Sequence, residues 1–477
     1  MTFKQVNFGL MDAESEKAQS PELLLEGFFD AFGYIDQIVS GNKFYIFGQK
    51  GSGKSAIGSR IELIAKNDPN FFVNQHYLGR FEYKKFSELF PGSEAPESRY
   101  PTHWEFILLI TLLNNLKKDI QCKYESEADF YSLLDTLDQI NVIPDKDFAE
   151  IVKITSKRQF SIKIFKMEHV TEKTENVTIN TIFSKLKKVC YTAKTPNKHI
   201  IIVDGLDIIL THRQKQYQTL SALLIAVNNF NNKLVENGVN AKIVVLCRTD
   251  LLNKIADPNS NKFIQNFGIF LNWYQDKKDI HSTNLVKLIN RRVALALKNE
   301  IDISEFLPSA IESDKESLKV LLDHTRHIPR DLIQLLNKIQ NHTSGKNPSM
   351  KDINNGIDEY SNVYFVRELQ DTLVGFLDDE EKGERVIQLL GAMGTTQFSY
   401  RDIEAKIKAD PRFSKIDLTK TMDLLFDSSA IGNINSRTGF NTWKYRNLYA
   451  LFDPNQIIVV HKGLHKALNL RYERTSF

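Results

Sequence analysis

The sequence predicts an α/β fold: a doubly wound parallel sheet, followed by a helical lid and a C-terminal domain of three helices and a hairpin. Three observations predict it. A glycine-rich loop joins a strand pattern to a helix pattern at residues 43–64, and a second apolar strand, 199–204, ends in a carboxylate. From residue 282 onward the apolar residues repeat with helical spacing.

The glycine-rich loop matches the pattern G-x-x-x-x-G-K-S between an aromatic, β-branched strand (43–47) and a helix (56–64). Glycines let successive backbone N–H groups surround phosphate oxygens. Lys54 is predicted to reach the β- and γ-phosphates, and Ser55 to hold Mg²⁺. A chance match is disfavoured because both flanking elements are correct. The predicted nucleotide-binding residues of the loop are Gly48, Gln49, Lys50, Gly51, Ser52, Gly53, Lys54, Ser55 and Ala56.

The strand at 199–204 ends in Asp204, and the carboxyl ends of parallel strands face the crevice where ligands bind. Asp204 is therefore predicted as the second Mg²⁺ ligand, acting through water. Asp207 lies three residues further on and is the candidate that orients or deprotonates the attacking water. The alternative is that Asp207 caps the next segment.

Another apolar strand, 242–250, ends in a polar cluster. In ring and switch ATPases with such a loop the sheet order is 5-1-4-3-2, which places this strand between the loop strand and the acidic strand. Arg248 or Thr249 would then lie beside the γ-phosphate as a sensor. The competing interpretation is a structural salt bridge from Arg248 to Asp250. Residues 71–78 and 267–273 supply the second and fifth strands.

The interval between the loop and Asp204 is longer than one βαβ step needs, which predicts an inserted, mostly helical region at about 84–180. Its helical part comprises 104–116 and 129–140. Residues 157–166 alternate basic and apolar side chains, as in an amphipathic hairpin. A solvated strand face is favoured there over contact with a partner or nucleic acid.

The helical lid begins near residue 282 and carries Arg291 and Arg292 on its first helix. Pro329 is typical of a first helical turn and places Arg330 near a helix N-terminus. A cation is unfavourable at that end of the helix dipole, which indicates a nearby anion. The anion is either a nucleotide phosphate or Asp331.

The loop, the acidic strand, the Arg248–Asp250 strand end and residues 329–332 in a lid together resemble the AAA+/STAND branch of P-loop ATPases. The opening segment, 21–30, is similar to that of an uncharacterised prokaryotic family. Joining such a lid to a winged helix also resembles origin-recognition-type initiators. The resemblance implies ATP or ADP and Mg²⁺ as cofactors, and Arg330 as the sensor 2 residue.

The resemblance further implies that Arg291 or Arg292 can lie near a neighbouring subunit's nucleotide. The implied catalytic residues are Lys54, Asp207, Arg248 and Arg330. Many relatives have Asp-Glu where this chain has Asp204-Gly205. This departure predicts slow hydrolysis, with the nucleotide state switching oligomerisation or partner engagement. A role in stress or phage defence is implied by family analogy alone, and a P-loop kinase is disfavoured by the long lid.

The C-terminal part has helix patterns at 384–393, 400–409 and 418–426, followed by a hairpin pattern between 430 and 446. This order predicts a winged-helix domain. Residues 412–477 carry ten Lys and Arg against five Asp and Glu. DNA and a protein both remain candidate partners, because acidic side chains share the third helix. The candidate phosphate contacts are Lys420, Arg437, Lys444 and Arg446. For His461 and His465, spaced i and i+4, packing is favoured over metal binding.

Length and composition agree with this organisation. A chain of 477 residues predicts about two to four domains. The expected divisions are an N-terminal segment (1–40), the ATPase core (41–280), the lid (281–375) and the winged helix (376–477). A net charge of +3 does not by itself indicate a nucleic-acid binder. Three scattered cysteines and the absence of a signal or membrane-length apolar run predict a cytoplasmic protein without membrane partners.

Overall fold

The computed structural model describes residues 2–79, 81–90, 95–143, 146–157, 159–166, 171–206, 214–255, 260–312, 315–377 and 380–471. The predicted catalytic residue Asp207 lies outside the described residues.

The strands are numbered in chain order. They are β1 (Tyr45–Gly48), β2 (Phe71–Tyr77), β3 (Gln159–Lys166), β4 (Thr171–Thr178), β5 (Lys198–Asp204), β6 (Ala241–Arg248), β7 (Gly268–Leu271), β8 (Ala310–Glu312), β9 (Lys315–Glu316), β10 (Gln397–Phe398), β11 (Ile431–Ile434), β12 (Asn441–Thr442) and β13 (Ile457–Val460).

The α-helices are numbered in the same way. They are α1 (Ala13–Gln19), α2 (Pro21–Leu25), α3 (Tyr34–Val39), α4 (Lys54–Lys66), α5 (Tyr83–Ser87), α6 (Pro96–Leu116), α7 (Glu127–Gln139), α8 (Phe148–Thr155), α9 (Ile179–Thr192), α10 (Gln214–Glu236), α11 (Thr249–Ile255), α12 (Ser260–Phe267), α13 (Asn284–Leu297), α14 (Ser317–Asp323), α15 (Pro329–His342), α16 (Met350–Glu359), α17 (Val366–Leu377), α18 (Glu380–Ala392), α19 (Tyr400–Ala409) and α20 (Leu418–Asp427).

The central sheet has five parallel strands in the order β2-β5-β6-β1-β7, which confirms the predicted order 5-1-4-3-2. Its strands are buried and rich in aromatic and β-branched residues, so both faces need covering layers. The register sets Gly48 level with Arg248 on one side and with Leu271 on the other. The carboxyl ends of β1, β6 and β7 therefore meet at one edge of the sheet.

The predicted insertion is not a surface addition. Its longest helix, α6, packs against α10, β2 and β5, and Trp104, Leu108 and Leu112 are fully buried. The indole Nε1 of Trp104 donates to the carbonyl of Thr219 at 2.8 Å. Helix α6 thus serves as a covering helix of the sheet. The predicted hairpin is also present, as the antiparallel pair β3 and β4.

The N-terminal segment and the lid pack on each other. Gln340 of α15 donates its amide to the carbonyls of Phe3 and Val6, and the Phe3 N–H donates to Lys346 O. Helices α1 and α2 also pack on α4, the helix that follows the glycine-rich loop. The first residues of the chain therefore bridge the lid to the core. None of the described helices is long and apolar enough to cross a membrane.

The helix that leaves the lid contains a change of pitch. Helix α16 ends at Glu359, residues Tyr360–Phe365 form a π-helix, and α17 continues without a break. A π-turn holds one residue more than an α-turn and is often found at functional sites. The segment leads directly into the C-terminal domain, residues 380–471.

The elements of the C-terminal domain follow the predicted winged-helix order: α18, β10, α19, α20 and then three strands. They form one antiparallel sheet, β10-β13-β11-β12. The predicted strand at 443–446 is wrong, because these residues form a turn and the return strands are β12 and β13. The side chains of this turn are drawn inward: Lys444 pairs with Asp427, and Tyr445 stacks on His327 of the lid.

His461 and His465 do not share a helical face. Residues 462–464 form one 3₁₀ turn, and the His461 side chain accepts the Gly463 N–H at its start. The His461 ring is buried and stacks on Phe365, with ring centroids 4.9 Å apart. The prediction that this residue packs is confirmed. The pKa of His461 lies well below its usual value, because burial disfavours the charged ring and Arg326 is nearby.

Candidate nucleotide-binding site

The glycine-rich loop wraps around the side chain of Lys54. Lys54 is the first residue of α4 and is 5% exposed, and its ammonium donates to the carbonyls of Gly48 (3.2 Å) and Gln49 (3.1 Å). The hydroxyl of Ser52 is buried and, among the described residues, has no hydrogen-bond partner. A buried unsatisfied hydroxyl is costly, so its presence indicates a binding position.

The loop lies against the lid and against the segment after β7. The Arg330 N–H donates to Gly51 O at 3.3 Å, and the Trp273 indole donates to Ser52 O at 2.8 Å. A side chain at Gly51 would meet Cβ of Arg330 at 3.0 Å, so only glycine allows the lid to approach this closely. The loop is thereby held between the core and the lid.

We call the space on this side of the loop the front pocket. It holds about 730 Å³ including its open mouth. The loop, the lid and the N-terminal segment supply its walls. Its lining includes Asp12, Glu16, Gly53, Lys54, Ser55, Ala56, Trp273, Arg292 and Arg330.

An aromatic recess adjoins the front pocket and shares Phe28, Phe29, Gly53 and Trp273 with it. Phe32, Tyr34 and Leu271 complete its apolar wall. A flat apolar group, such as a nucleobase, is the kind of ligand that such a recess accommodates. The loop side of the pocket can take phosphates and the recess can take a base.

Asp204 lies where it was predicted, at the carboxyl end of β5. It is 5% exposed and accepts hydrogen bonds from the Gln75 amide (3.0 Å) and the Gly205 N–H (2.7 Å). Carboxylate and hydroxyl oxygens, such as those of Asp204 and Ser55, are ligands that Mg²⁺ prefers. These residues fit a magnesium ion bound together with phosphates.

Gly205 has a geometric reason to be glycine. Its φ is +76°, in the left-handed region, and a Cβ would meet the backbone nitrogen of Leu78 at 3.1 Å. A glutamate at this position would be strained. The departure from Asp-Glu is therefore built into the backbone at the end of β5.

Arg248 is buried at the end of β6, and its guanidinium binds the Asp250 carboxylate through Nε (2.9 Å) and Nη2. This contact is the salt bridge that was weighed against a sensor role. Thr249 begins α11 and lies beside Arg248. Arg248 is level with Gly48, and both residues line a space that Gln49 and Lys50 also line and Ser55 does not. The catalytic role of Arg248 stays a prediction.

The anion beside Arg330 is Glu368 of α17, a residue that the sequence analysis did not single out. Its carboxylate lies 3.8 Å from Arg330 Nη1 and 3.0 Å from Lys50 Nζ, and the residue is 3% exposed. Its position in the sequence carried a signal. Glu368 interrupts the apolar stripe formed by Phe365, Leu369 and Leu373, and a buried carboxylate needs a charged partner.

Asp331 pairs with Arg326 and not with Arg330. The Arg326 guanidinium donates to Asp331 at 2.7 and 2.8 Å, and the Tyr364 hydroxyl adds a bond at 2.8 Å. Burial would raise the pKa of Asp331, but the Arg326 charge and hydrogen bonds hold it below its usual value. The alternative that Asp331 compensates Arg330 is wrong.

Arg292 pairs with a carboxylate of its own chain. Its guanidinium binds the Glu16 carboxylate at 2.8 and 3.1 Å, with both residues buried, and it lines the front pocket. Arg291 is exposed, and its Nε donates to Glu26 O. The pair of Arg292 with Glu16 ties the lid to the N-terminal segment at the wall of the front pocket.

A second space, which we call the rear cavity, lies on the other side of the loop. It holds about 680 Å³ including its mouth, and the C-terminal domain forms one wall. The cations that line it are Lys50, Arg248, Arg326 and Lys444. Each is paired within the chain, with Glu368, Asp250, Asp331 and Asp427 respectively.

Two of the basic residues considered for DNA already have partners within the chain. Lys444 is 8% exposed, donating to Ala450 O and pairing with Asp427 at 3.1 Å. The Arg446 guanidinium lies over the ring of Tyr274, 5.2 Å from its centroid. The expectation that these two side chains contact phosphates is not supported by their placement. Lys420 and Arg437 are exposed.

Comparisons with known proteins match two parts of the chain. Residues 149–270 match the ATPase family associated with various cellular activities (AAA), a range that includes β5, β6 and the start of β7. Residues 283–367 match the FunZ-associated C-terminal helical domain. No curated protein matches the chain. Neither match is to an origin-recognition-type initiator, so that likeness stays a prediction.

Proposed function

We propose that the chain is a slow ATP-dependent switch, because residues 149–270 match the AAA ATPase family and residues 283–367 match the FunZ-associated C-terminal helical domain. Its nucleotide state controls oligomerisation or the engagement of a partner. The observation that carries this proposal is the composition of the front pocket. Three separate parts of the chain wall it: the loop, the N-terminal segment and the lid. A ligand there contacts all three and can change their relative positions.

The geometry supports one orientation for the nucleotide. The phosphates lie along residues 51–56 at the N-terminus of α4, where Lys54 supplies charge and the helix dipole favours anions. The base lies toward the aromatic recess at Phe28, Phe29 and Trp273. Ser55 and Asp204 hold Mg²⁺, which supplies charge neutralisation at the phosphates.

Slow turnover is supported by the end of β5. The backbone at residue 205 favours glycine, so this chain lacks a carboxylate at the position where many relatives have glutamate. Asp204 accepts a hydrogen bond from Gln75 and is the Mg²⁺ ligand of this proposal. A site with good phosphate binding that lacks this glutamate keeps its triphosphate for long periods, as a switch requires.

The C-terminal domain is better suited to a protein partner than to DNA. Lys444 and Arg446 are engaged with Asp427 and Tyr274. The turn at 443–446 contacts the core through Arg446 on Tyr274 and the lid through Tyr445 on His327, so the domain is docked on its own chain. A module held in this way is available for release and for exchange of protein contacts.

The test is a mass measurement of the purified protein with and without ATP·Mg²⁺, with phosphate release followed in parallel. We expect an ATP-dependent change in mass or shape and slow phosphate release. Lys54→Ala abolishes both, whereas Lys66→Ala, an exposed lysine at the other end of α4, leaves both unchanged. Absence of nucleotide binding by the wild-type protein overturns the ATPase proposal. Nucleotide binding with no change in mass, shape or partner capture overturns the switch.

A further inference from the structure

Glu368 joins the nucleotide site to the helix that carries the C-terminal domain. The residue lies on α17, and its carboxylate contacts Lys50 of the glycine-rich loop at 3.0 Å and Arg330 of the lid at 3.8 Å. The Glu368 side chain is 4% exposed and that of Arg330 is 23% exposed. A buried carboxylate depends strongly on such partners, because water does not solvate it.

The neighbouring turns of the same helix face the same way. Tyr364, one turn before Glu368, donates to Asp331, the residue that follows Arg330 in α15. Thr372, one turn after it, donates to the Glu368 carbonyl and lines the rear cavity. One face of this helix therefore contacts the loop and the lid at successive levels. The π-helix at 360–365 sets which residues occupy that face.

One of the two cations, Arg330, has an alternative partner. Arg330 lines the front pocket, and Lys50 belongs to the loop that surrounds the phosphates. A triphosphate bound along residues 51–56 brings a more highly charged anion to the same guanidinium than the single carboxylate of Glu368. One guanidinium cannot give its full set of hydrogen bonds to both. The carboxylate and the terminal phosphate therefore compete.

We propose that Glu368 is a positioning residue that stands in for the terminal phosphate of the nucleotide. Without that phosphate, Glu368 holds Arg330 and Lys50 and keeps α17 docked on the loop. A bound triphosphate takes Arg330, and α17 loses that part of its ionic anchor while it keeps the pair of Glu368 with Lys50. Helix α17 packs on α18, the first helix of the C-terminal domain, so the loss of the anchor is transmitted there. The inference rests on the proposed nucleotide binding and identifies Glu368 as the group that responds to the terminal phosphate.

The first experiment compares ATP and ADP affinity in wild type and Glu368→Gln, an isosteric change that removes the charge. A non-hydrolysable ATP analogue replaces ATP so that turnover does not interfere. Removing the competing carboxylate raises triphosphate affinity by about tenfold, the equivalent of one weak ion pair, and changes ADP affinity by less than about threefold. Glu368→Asp keeps the charge and restores most of the wild-type preference.

The matched control is Glu359→Gln. Glu359 ends α16, pairs with Lys338 and His342, and lies outside the lining of both the front pocket and the rear cavity. The Glu359→Gln variant is expected to leave the ratio of ATP-analogue affinity to ADP affinity unchanged. An equal change in both control and test variants overturns the inference, as does a Glu368→Gln protein with the wild-type ratio.

The second experiment needs no variant. Hydrogen exchange is measured over residues 366–377 of the wild-type protein, alone, with ADP and with the ATP analogue. We expect the analogue, and not ADP, to speed exchange in this helix. Equal exchange in all three states overturns the inference while nucleotide binding still stands. A wild-type protein that binds neither nucleotide overturns the proposed function, and the inference falls with it.

Discussion

The front pocket and the rear cavity lie on opposite sides of one loop and are built on different principles. The front pocket presents Lys54, Ser55 and Arg330 to a space of about 730 Å³. The adjoining aromatic recess is lined by Ser52, whose buried hydroxyl lacks a partner among the described residues. The rear cavity is lined by cations that are already neutralised by carboxylates of the same chain. The front is therefore suited to receive an anion, and the rear to hold parts of the chain together.

The comparison first predicts a large loss of stability at the rear. Asp331→Asn leaves the buried Arg326 guanidinium without its carboxylate, and breaking a buried pair in this way costs about 3–5 kcal/mol of unfolding free energy. Denaturant unfolding measures it. Asp410→Asn, which breaks the exposed pair with Arg412, is the control and changes stability little. Equal losses of unfolding free energy in the two variants would show that the ion pair at the rear cavity does not hold the chain together.

The next prediction contrasts two lysines of the same loop. Lys54→Ala removes the front ammonium and lowers ATP affinity by about 100-fold, because a charged hydrogen-bond donor to phosphate is lost. Lys50→Ala removes a rear cation and lowers ATP affinity far less, while it loosens α17. Calorimetric titration with the ATP analogue measures both. Similar losses for Lys50→Ala and Lys54→Ala would show that the loop has no functional front and rear.

The next prediction concerns the pH dependence of stability at His327, where the lid contacts the C-terminal domain. Burial, assisted by Arg446, lowers the pKa of His327 to about 4, while the unfolded chain has a value near 6.5. Between these values the unfolded state binds more protons, so stability is full above about pH 6.5 and falls as the pH drops toward 4. The loss is about 2 kcal/mol after discounting for partial exposure.

His327→Asn tests the assignment, because asparagine tolerates the positive φ of 51° and does not titrate in this range. The variant should show a shallower decline of unfolding free energy between pH 6.5 and 4 than the wild type. Other buried histidines, such as His103, contribute with the same sign to both proteins. An unchanged slope would mean that His327 is not a source of the pH dependence.

The smallest effect is expected at Gly205, which follows the carboxyl end of β5. Gly205→Ala puts a Cβ on a left-handed backbone, 3.1 Å from Leu78 N. We expect the free energy of unfolding, measured by denaturant titration, to fall by about 1 kcal/mol. Gly345→Ala is the control, because Gly345 has no positive φ and a Cβ there meets nothing closer than 3.6 Å. A neutral Gly205→Ala would remove the geometric reason for the missing glutamate.

The front of the loop could be predicted from sequence because its residues are contiguous. Residues 48–56 carry their own strand, turn and helix signals, and the strand ends at Asp204 and Arg248 follow from the burial of β5 and β6. The sheet order and the lid helix at Pro329 are confirmed by the structure. Local patterns were sufficient there.

The rear could not be predicted because its partners are remote in sequence. Lys50 and Glu368 belong to different domains, and a glutamate within a helix usually faces solvent. The turn at 443–446 was mistaken for a strand because its aromatic residues suit a sheet. Packing of Tyr445 on His327 and of Arg446 on Tyr274 decided its form.

The position of the first residues has a consequence for folding. Gln340 donates to the carbonyl of Phe3 across 337 positions of sequence, and Arg292 donates to Phe8 O across 284. The N-terminal wall of the front pocket is therefore synthesised long before the helices that complete it. Closing such distant contacts is slow, because chain entropy must be lost before they form. Under the proposed function, ATP meets a complete front pocket only after the lid has been made.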